Sequence, residues 1–334
     1  MRRRTMSRTS DFNPWDGMRS ISTNAYYVSR LVDESLNPAN RDLQWSLTET
    51  GDQALLIGYN AHERHIEQMP RFRGIATGED PQRHLMVIAL QDPAMRDAFL
   101  KVCIDIITTL QNVPESCQRH ATILRLERWA HFFQGKRVGL TEAAQKGLVA
   151  ELICLQYLAL QKFTPREALQ SWTGPQQSTH DFSFGQTFIE VKSNRGASTP
   201  NITISSSSQL SVNDNELLFL YVVEVNQAIA QSEGCTLTHY VRQTRALFDS
   251  PLDVLTFDLK LSQVGYDETD DYDRTLWSVG DIRQFAVSSN FPHIDETQLD
   301  PAISNVTYEV NLNHCTAFEI DEHTLLDNLG GEHV

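Results

Sequence analysis

Between Leu43 and about Gln91, short apolar runs (Ala54 to Gly58, Phe72 to Ile75, Leu85 to Leu90) are separated by Gly, Asp and Pro, a pattern that predicts a small antiparallel β region. Three stretches then carry apolar residues at three- and four-residue spacing, about Pro93 to Asn112, Glu115 to Gln134 and Thr141 to Lys162, and predict helices. Short strands follow, then a buried strand over Glu216 to Val225, a helix near Leu237 to Phe248, and mixed strand and loop to the C-terminus. The order helix, hairpin, strand, helix suits an α/β core with a mixed sheet. No internal repeat or long low-complexity linker interrupts the chain, so the β region is expected to pack against the helices.

Two carboxylate placements break this patterning. On the helix Thr141 to Lys162, at 100° per residue, the face centred on Glu151 holds Ala144, Gly147, Leu148, Cys154, Leu155 and Leu158, while Glu142, Gln145, Lys146 and Gln156 lie opposite. Glu151 is the one charge in the middle of an apolar stripe. A carboxylate there needs a base, a donor cluster or a metal ion. An edge position reaching solvent, or a buried Arg partner, would satisfy it equally.

The second placement is in Thr179 to Ser193, THDFSFGQTFIEVKS. Gly185 followed by Gln186 is a two-residue hairpin signal of the II′ type. That turn would set Phe184 opposite Thr187, Phe182 opposite Ile189, and Asp181 opposite Glu190. The pleat then gathers Asp181, Glu190 and Lys192 on one face and Phe182, Phe184, Ile189 and Val191 on the other. Facing acids repel across a sheet, and a divalent cation between them would remove the conflict. An exposed hairpin face with both acids hydrated and Lys192 screening them is the plainer alternative.

Other motifs fail. Asp267 to Asp273 (DETDDYD) departs from a calcium loop, with Tyr272 where the turn needs Gly and Ser278 where the bidentate Glu should be. His62 and His65 lack the spacing of a zinc-protease helix and read as surface histidines, and no phosphate-binding or dinucleotide-binding glycine motif occurs. The longest apolar run, Leu217 to Val223, is far below the ~20 residues of a membrane helix. Five scattered cysteines without a C-x-x-C pattern suggest neither a disulfide framework nor a zinc ribbon, and fit a reducing cytoplasm. The basic start MRRRTMSRTS is not a secretory signal; it weakly resembles a transit segment and reads first as a disordered tail.

The net charge of −15 argues against a polyanionic partner until it is resolved along the chain. Residues 1–200 hold 23 basic and 21 acidic side chains, whereas 201–334 hold 5 and 22. A near-neutral first part can carry a local basic groove, and the acidic remainder is a solvated face or a docking surface for a basic partner.

At Glu151, Asp181, Glu190 and Lys192 the sequence resembles the PD-(D/E)XK nuclease superfamily, whose core runs helix Glu, strand Asp, then (Asp/Glu)-x-Lys. The stretches GLVAEL, SWTGP, HDFSFG, IEVKSN and ITISSSSQL are similar to the bacterial PD-(D/E)XK motif proteins encoded beside restriction and phage-defence components. His180 stands where the superfamily's name has Pro.

The resemblance implies a restriction-endonuclease-like α/β core, a mixed sheet flanked by helices. The expected organisation is a tail over 1–20, a β-rich region over 21–92, the nuclease core with its preceding helices over 93–230, and an acidic α+β extension over 231–334. It implies a metal-dependent endonuclease acting on DNA, with Mg²⁺, replaceable by Mn²⁺, held by Asp181, Glu190, the Val191 carbonyl and Glu151. Lys192 would position the attacking water. Gln209 and Ser193 are candidate phosphate contacts, although the polar run Ser205 to Ser208 beside Gln209 also reads as a plain connection. Implied partners are other subunits of a defence complex, such as ATPase/helicase or methyltransferase components, and a second copy in a homodimer; no membrane is involved. The alternative keeps the fold without catalysis, as a scaffold or DNA-binding subunit recruiting partners through the acidic region.

Overall fold

The computed structural model describes residues 12–19, 27–60, 62–63, 68–134, 139–196, 200–213, 215–230, 232–295, 299–300, 302–303 and 305–329. His65, residues 1–11 and residue 20 of the expected tail lie outside them. The chain divides into two compact units, residues 1–136 and 137–334.

In the first unit, β1 (Tyr27–Leu31), β2 (Leu43–Thr48), β3 (Gln53–Gly58), β4 (Ile75–Asp80) and β5 (Leu85–Leu90) form one antiparallel sheet in the order β1-β2-β3-β5-β4. Helices α1 (Arg96–Leu110) and α2 (Gln118–Gln134) follow the predicted boundaries closely. The expected strand run Phe72 to Ile75 is instead an approach to β4: Gly74 takes φ +79° and Phe72 meets Phe133 edge-on at 6.2 Å. Residues 12–19, expected within the tail, carry the buried Trp15, whose Nε1 donates to the Ala54 carbonyl at 3.0 Å and whose ring stacks on Phe99 of α1 at 5.6 Å. The two helices therefore belong to the core of the β region, and the expected boundary at 92/93 does not separate them from it.

The second unit opens with α3 (Glu142–Gln161), capped by the Thr141 hydroxyl, which accepts from the Ala144 N–H at 3.2 Å. The short helix α4 (Pro165–Ser171) starts with a capping box between Thr164 and Glu167. Strands β6 (Phe182–Phe184), β7 (Thr187–Asn194), β9 (Leu217–Ala228), β10 (Cys235–Thr236) and β11 (Leu276–Val287) make a mixed sheet in the order β10-β11-β9-β7-β6, with β13 (Glu319–Ile320) added to β11. Among the described residues of this sheet, only the β7–β9 pair is parallel. One face carries Ile189, Val191, Tyr221 and Val223 and packs on Leu148, Leu152, Leu155 and Leu158 of α3, together with α5 (Leu237–Arg245), α6 (Pro251–Gln263) and α7 (Glu322–Asn328). The other carries Leu218, Leu220, Val222 and Phe285 under the ribbon of β8 (Asn201–Ile204) and β12 (Tyr308–Asn311).

Because β11 pairs along β9, residues beyond 230 complete the same sheet and do not form a separate extension. Helix α6 replaces the mixed strand and loop expected there. Its stretch Leu255-Thr-Phe-Asp-Leu-Lys-Leu261 alternates like a strand, yet Ser250 and Pro251 start a helix, and the buried Lys260 fills the apparent polar position. Among the described residues no helix is long and apolar enough to cross a membrane.

Candidate active site at the end of the edge hairpin

Gly185, at φ +69°, and Gln186 make the turn between β6 and β7, and the register is Phe182↔Ile189 and Phe184↔Thr187. One step further, β6 ends and the Asp181 side chain reaches across: its Oδ2 accepts from the Val191 N–H at 2.8 Å. The Asp181 carbonyl accepts from the N–H groups of Thr173 at 2.8 Å and Gly174 at 3.0 Å. A Cβ on Gly174 would stand 2.8 Å from Asp181 Oδ1, so glycine leaves that oxygen room.

Glu190, 1% exposed, places Oε1 2.6 Å from Lys192 Nζ. This is an ion contact without hydrogen-bond alignment, and neither carboxylate oxygen of Glu190 has an aligned donor among the described residues. Lys192 Nζ donates to Gln209 Oε1 at 3.0 Å, and the same oxygen accepts from the Ser205 N–H at 3.0 Å. Gln209, a candidate phosphate contact from the sequence, thus orients the lysine. Ser193 alternates with Lys192 along β7 and lies on the sheet face opposite Glu190 and Lys192. His180 is buried and stacks on Phe188 at 4.9 Å, and burial holds its imidazole below the ordinary range.

Glu151 reaches this cluster from α3. Its Oε2 accepts from Trp172 Nε1 at 2.8 Å, which answers the question of its partner: a neutral indole donor, not an arginine. Trp172 is fully buried, bridges to Phe182, and gives its carbonyl to Lys260 Nζ, which also donates to the Leu169 carbonyl at 2.7 Å. Trp172, Gly174 and Lys260 were missed as supports of the site. The SWTGP stretch held the only sequence signal, a tryptophan and a glycine just before the strand acid.

The acids share one electrostatic environment. Burial pushes the Glu151 carboxyl up to about 8, the Asp181 charge adds to this, and the Trp172 hydrogen bond and Lys192 oppose it. Burial also raises Asp181, against the Val191 N–H and Lys192. Glu190 is raised well above the carboxylate range by burial and then by Asp181, with Lys192 opposing. Nearby, Lys146 on α3 is lowered to about 8 by burial and then by Arg195, with Glu224 opposing.

No group of three His, Cys, Asp or Glu side chains is already gathered as a metal cluster among the described residues. The donors nonetheless fit a hard divalent cation. A half-buried Asp181 and a buried Glu190 face one strand end, Glu190 has oxygens lacking aligned donors, and Asp181 Oδ1 opens toward a glycine. Such a set suits an ion that keeps several waters.

No curated protein and no solved structure matches the chain significantly. The family model described as "Putative PD-(D/E)XK family member, (DUF4420)" matches residues 12–313. The mixed α/β architecture of residues 137–334 fits the restriction-endonuclease-like core of that superfamily. With most of its length inside the match, the chain belongs to this PD-(D/E)XK family.

Proposed function

We propose that the protein is a divalent-metal-dependent phosphodiesterase that cleaves DNA internally, acting with other subunits of a bacterial restriction or anti-phage system. The observation that carries this reading is the pairing of a buried, donor-poor Glu190 with Lys192 beside Asp181 and Glu151, at the end of a hairpin. Buried acids so placed destabilise the chain unless a cation compensates them.

Asp181, Glu190, the Val191 carbonyl and Glu151 would hold Mg²⁺, or Mn²⁺ in its place. When bound, such an ion polarises a phosphoryl oxygen and lowers the pKa of a coordinated water. Lys192, steadied by Gln209 and Glu190, orients the attacking water and offsets negative charge developing on the phosphoryl oxygens. Glu151, its proton affinity raised, holds or releases a proton at Oε1 while the indole keeps Oε2 in place. Five free thiols agree with a reducing cytoplasmic setting.

The test is incubation of purified protein with supercoiled plasmid and Mg²⁺, with Lys192→Ala as control. Loss of supercoiled DNA by the wild type alone supports nuclease action. Equal degradation by both proteins refutes it.

A further inference from the structure

One row of the mixed sheet runs Lys192–Val222–Arg283, since Val222 pairs with Lys192 on one side and Arg283 on the other. The next position along β7 on this face is Asn194, paired with Glu224. Opposite Glu224 the register of β11 breaks between Val279 and Ile282, so Gly280 and Asp281 together face one residue of β9. A bulge of this kind re-aims a side chain.

Between these groups lies a cavity of about 170 Å³, with Val222 as its floor and Asn194, Glu224, Asp281 and Arg283 in its walls. Its acceptor is built. A Cβ on Gly280 would lie 2.9 Å from the Glu224 carboxyl carbon, and a Cβ on Gly196 would overlap Glu224 Oε1, so both glycines make room for this carboxylate. Asn226 Nδ2 donates to Glu224 Oε1 at 2.7 Å and is itself fixed through its Oδ1 by the Gly196 N–H at 3.0 Å. On the other wall, Arg283 Nε and Nη2 are engaged by Glu319 at 2.8 Å each, which leaves Nη1 as the nitrogen Glu319 does not take. The walls therefore offer oriented carboxylates beside a guanidinium over an apolar floor. A metal ion is poorly served next to that guanidinium. A planar heterocycle with an exocyclic amine and a neighbouring ring acceptor matches both walls.

The position also fits. Two residues along a strand is about 7 Å, so a nucleotide whose phosphate meets Lys192 can bring its own base to this cavity. We infer that the cavity between Asn194, Glu224, Asp281 and Arg283 receives an unstacked nucleobase bearing an exocyclic amine, in preference to thymine. This deepens the nuclease reading and rests on it. The carboxylates would accept from the amine and Arg283 would donate to the ring acceptor, the kind of contact worth a tenfold or larger discrimination between bases.

The test needs no cleavage. Fluorescein-labelled dC10, dA10 and dT10 are titrated with the full chain in EDTA, and affinity is read by fluorescence anisotropy. The expected result is at least tenfold tighter binding of dC10 or dA10 than dT10, with the ratio falling below about threefold in Asp281→Asn and in Glu224→Gln. Asp281 is exposed, so its variant keeps the test open if Glu224→Gln fails to fold. Lys192→Ala should weaken all three alike and keep the ratio. Equal affinity for all three, or a ratio unchanged in the variants, overturns the base pocket and leaves the nuclease reading to the plasmid assay. Absence of binding to every oligonucleotide likewise overturns the base pocket, while the nuclease reading stands or falls by the plasmid assay.

Discussion

Trp172 donates its indole Nε1 to Glu151 Oε2 at 2.8 Å while its own carbonyl accepts from Lys260 Nζ, so a carboxylate and a buried ammonium grip opposite sides of one residue. The indole bond is one of the influences that lower the proton affinity of Glu151. Trp172→Phe should therefore move the Glu151 titration upward, by roughly one unit for a charge-assisted bond of ordinary strength. The fall of melting temperature with pH in EDTA should be displaced to higher pH in Trp172→Phe, and an unmoved fall would separate the indole from the Glu151 titration.

Lys260→Met leaves the carbonyls of Leu169 and Trp172 without their donor. Each unpaired buried group costs about 1–3 kcal/mol. Thermal unfolding should shift down by several degrees. The Mg²⁺ concentration for half-maximal cleavage should rise with it, because the segment that seats Asp181 and Glu151 loosens.

Gln209→Ala frees Lys192 Nζ from its only neutral acceptor among the described hydrogen bonds. Cleavage should fall about tenfold, with DNA binding and melting temperature nearly unchanged. Lys192→Ala should lose at least a hundredfold and melt within a few degrees of the wild type, since Glu190 can take up a proton once its cation is gone. Parallel kinetics and calorimetry on both variants would check this.

The raised carboxyls set the sign of the pH dependence. Glu151 has an ordinary value of 4.5 and stands at about 8 in the fold, so the folded state binds protons that the unfolded chain has released between those limits. Asp181 and Glu190 are shifted in the same direction. Without metal, the Glu151 contribution to stability is complete below about pH 4.5 and is lost as pH rises toward 8, and the other two acids act in the same sense. Melting in EDTA across pH 5 to 8 should show this decline, and Glu151→Gln should flatten it. Mg²⁺ should stabilise more at pH 8 than at pH 6, because its binding displaces those protons. A wild-type melting temperature that climbs with pH in EDTA would count against this account.

Gly174→Ala places a methyl 2.8 Å from Asp181 Oδ1. Metal affinity by isothermal calorimetry should drop by about tenfold or more while circular dichroism keeps its wild-type form, since Gly174 lies in a short turn, not in the sheet.

The site was legible in the sequence where its geometry is local. A glycine-first turn of two residues fixes the hairpin register as far as Phe182 and Ile189, and Asp181, one step beyond β6, completes the group by reaching the Val191 N–H with its side chain. Helical periodicity likewise isolates Glu151 in its stripe. The supports were hidden because they come from far along the chain: Lys260 is 88 residues from Trp172, and its alternating surroundings imitate a strand. Gln209 was noticed for its polarity, but its acceptor role depends on a turn that aims the amide back at Lys192, which no periodicity encodes. The acidic charge of residues 201–334 suggested an appended region, whereas hydrogen bonding along β9 makes β11 part of the core sheet.

The parallel pairing of β7 with β9 has a kinetic consequence. The β6–β7 hairpin closes over two residues and can form within microseconds, bringing the acids and Lys192 together early. Strand β9 arrives only after the long crossover between Asn194 and Leu217 has closed, and Gln209 rides on that crossover. A refolding chain would hold its acids before its lysine is aimed, so recovery of DNA cleavage should lag behind hairpin formation and report the closing of the sheet.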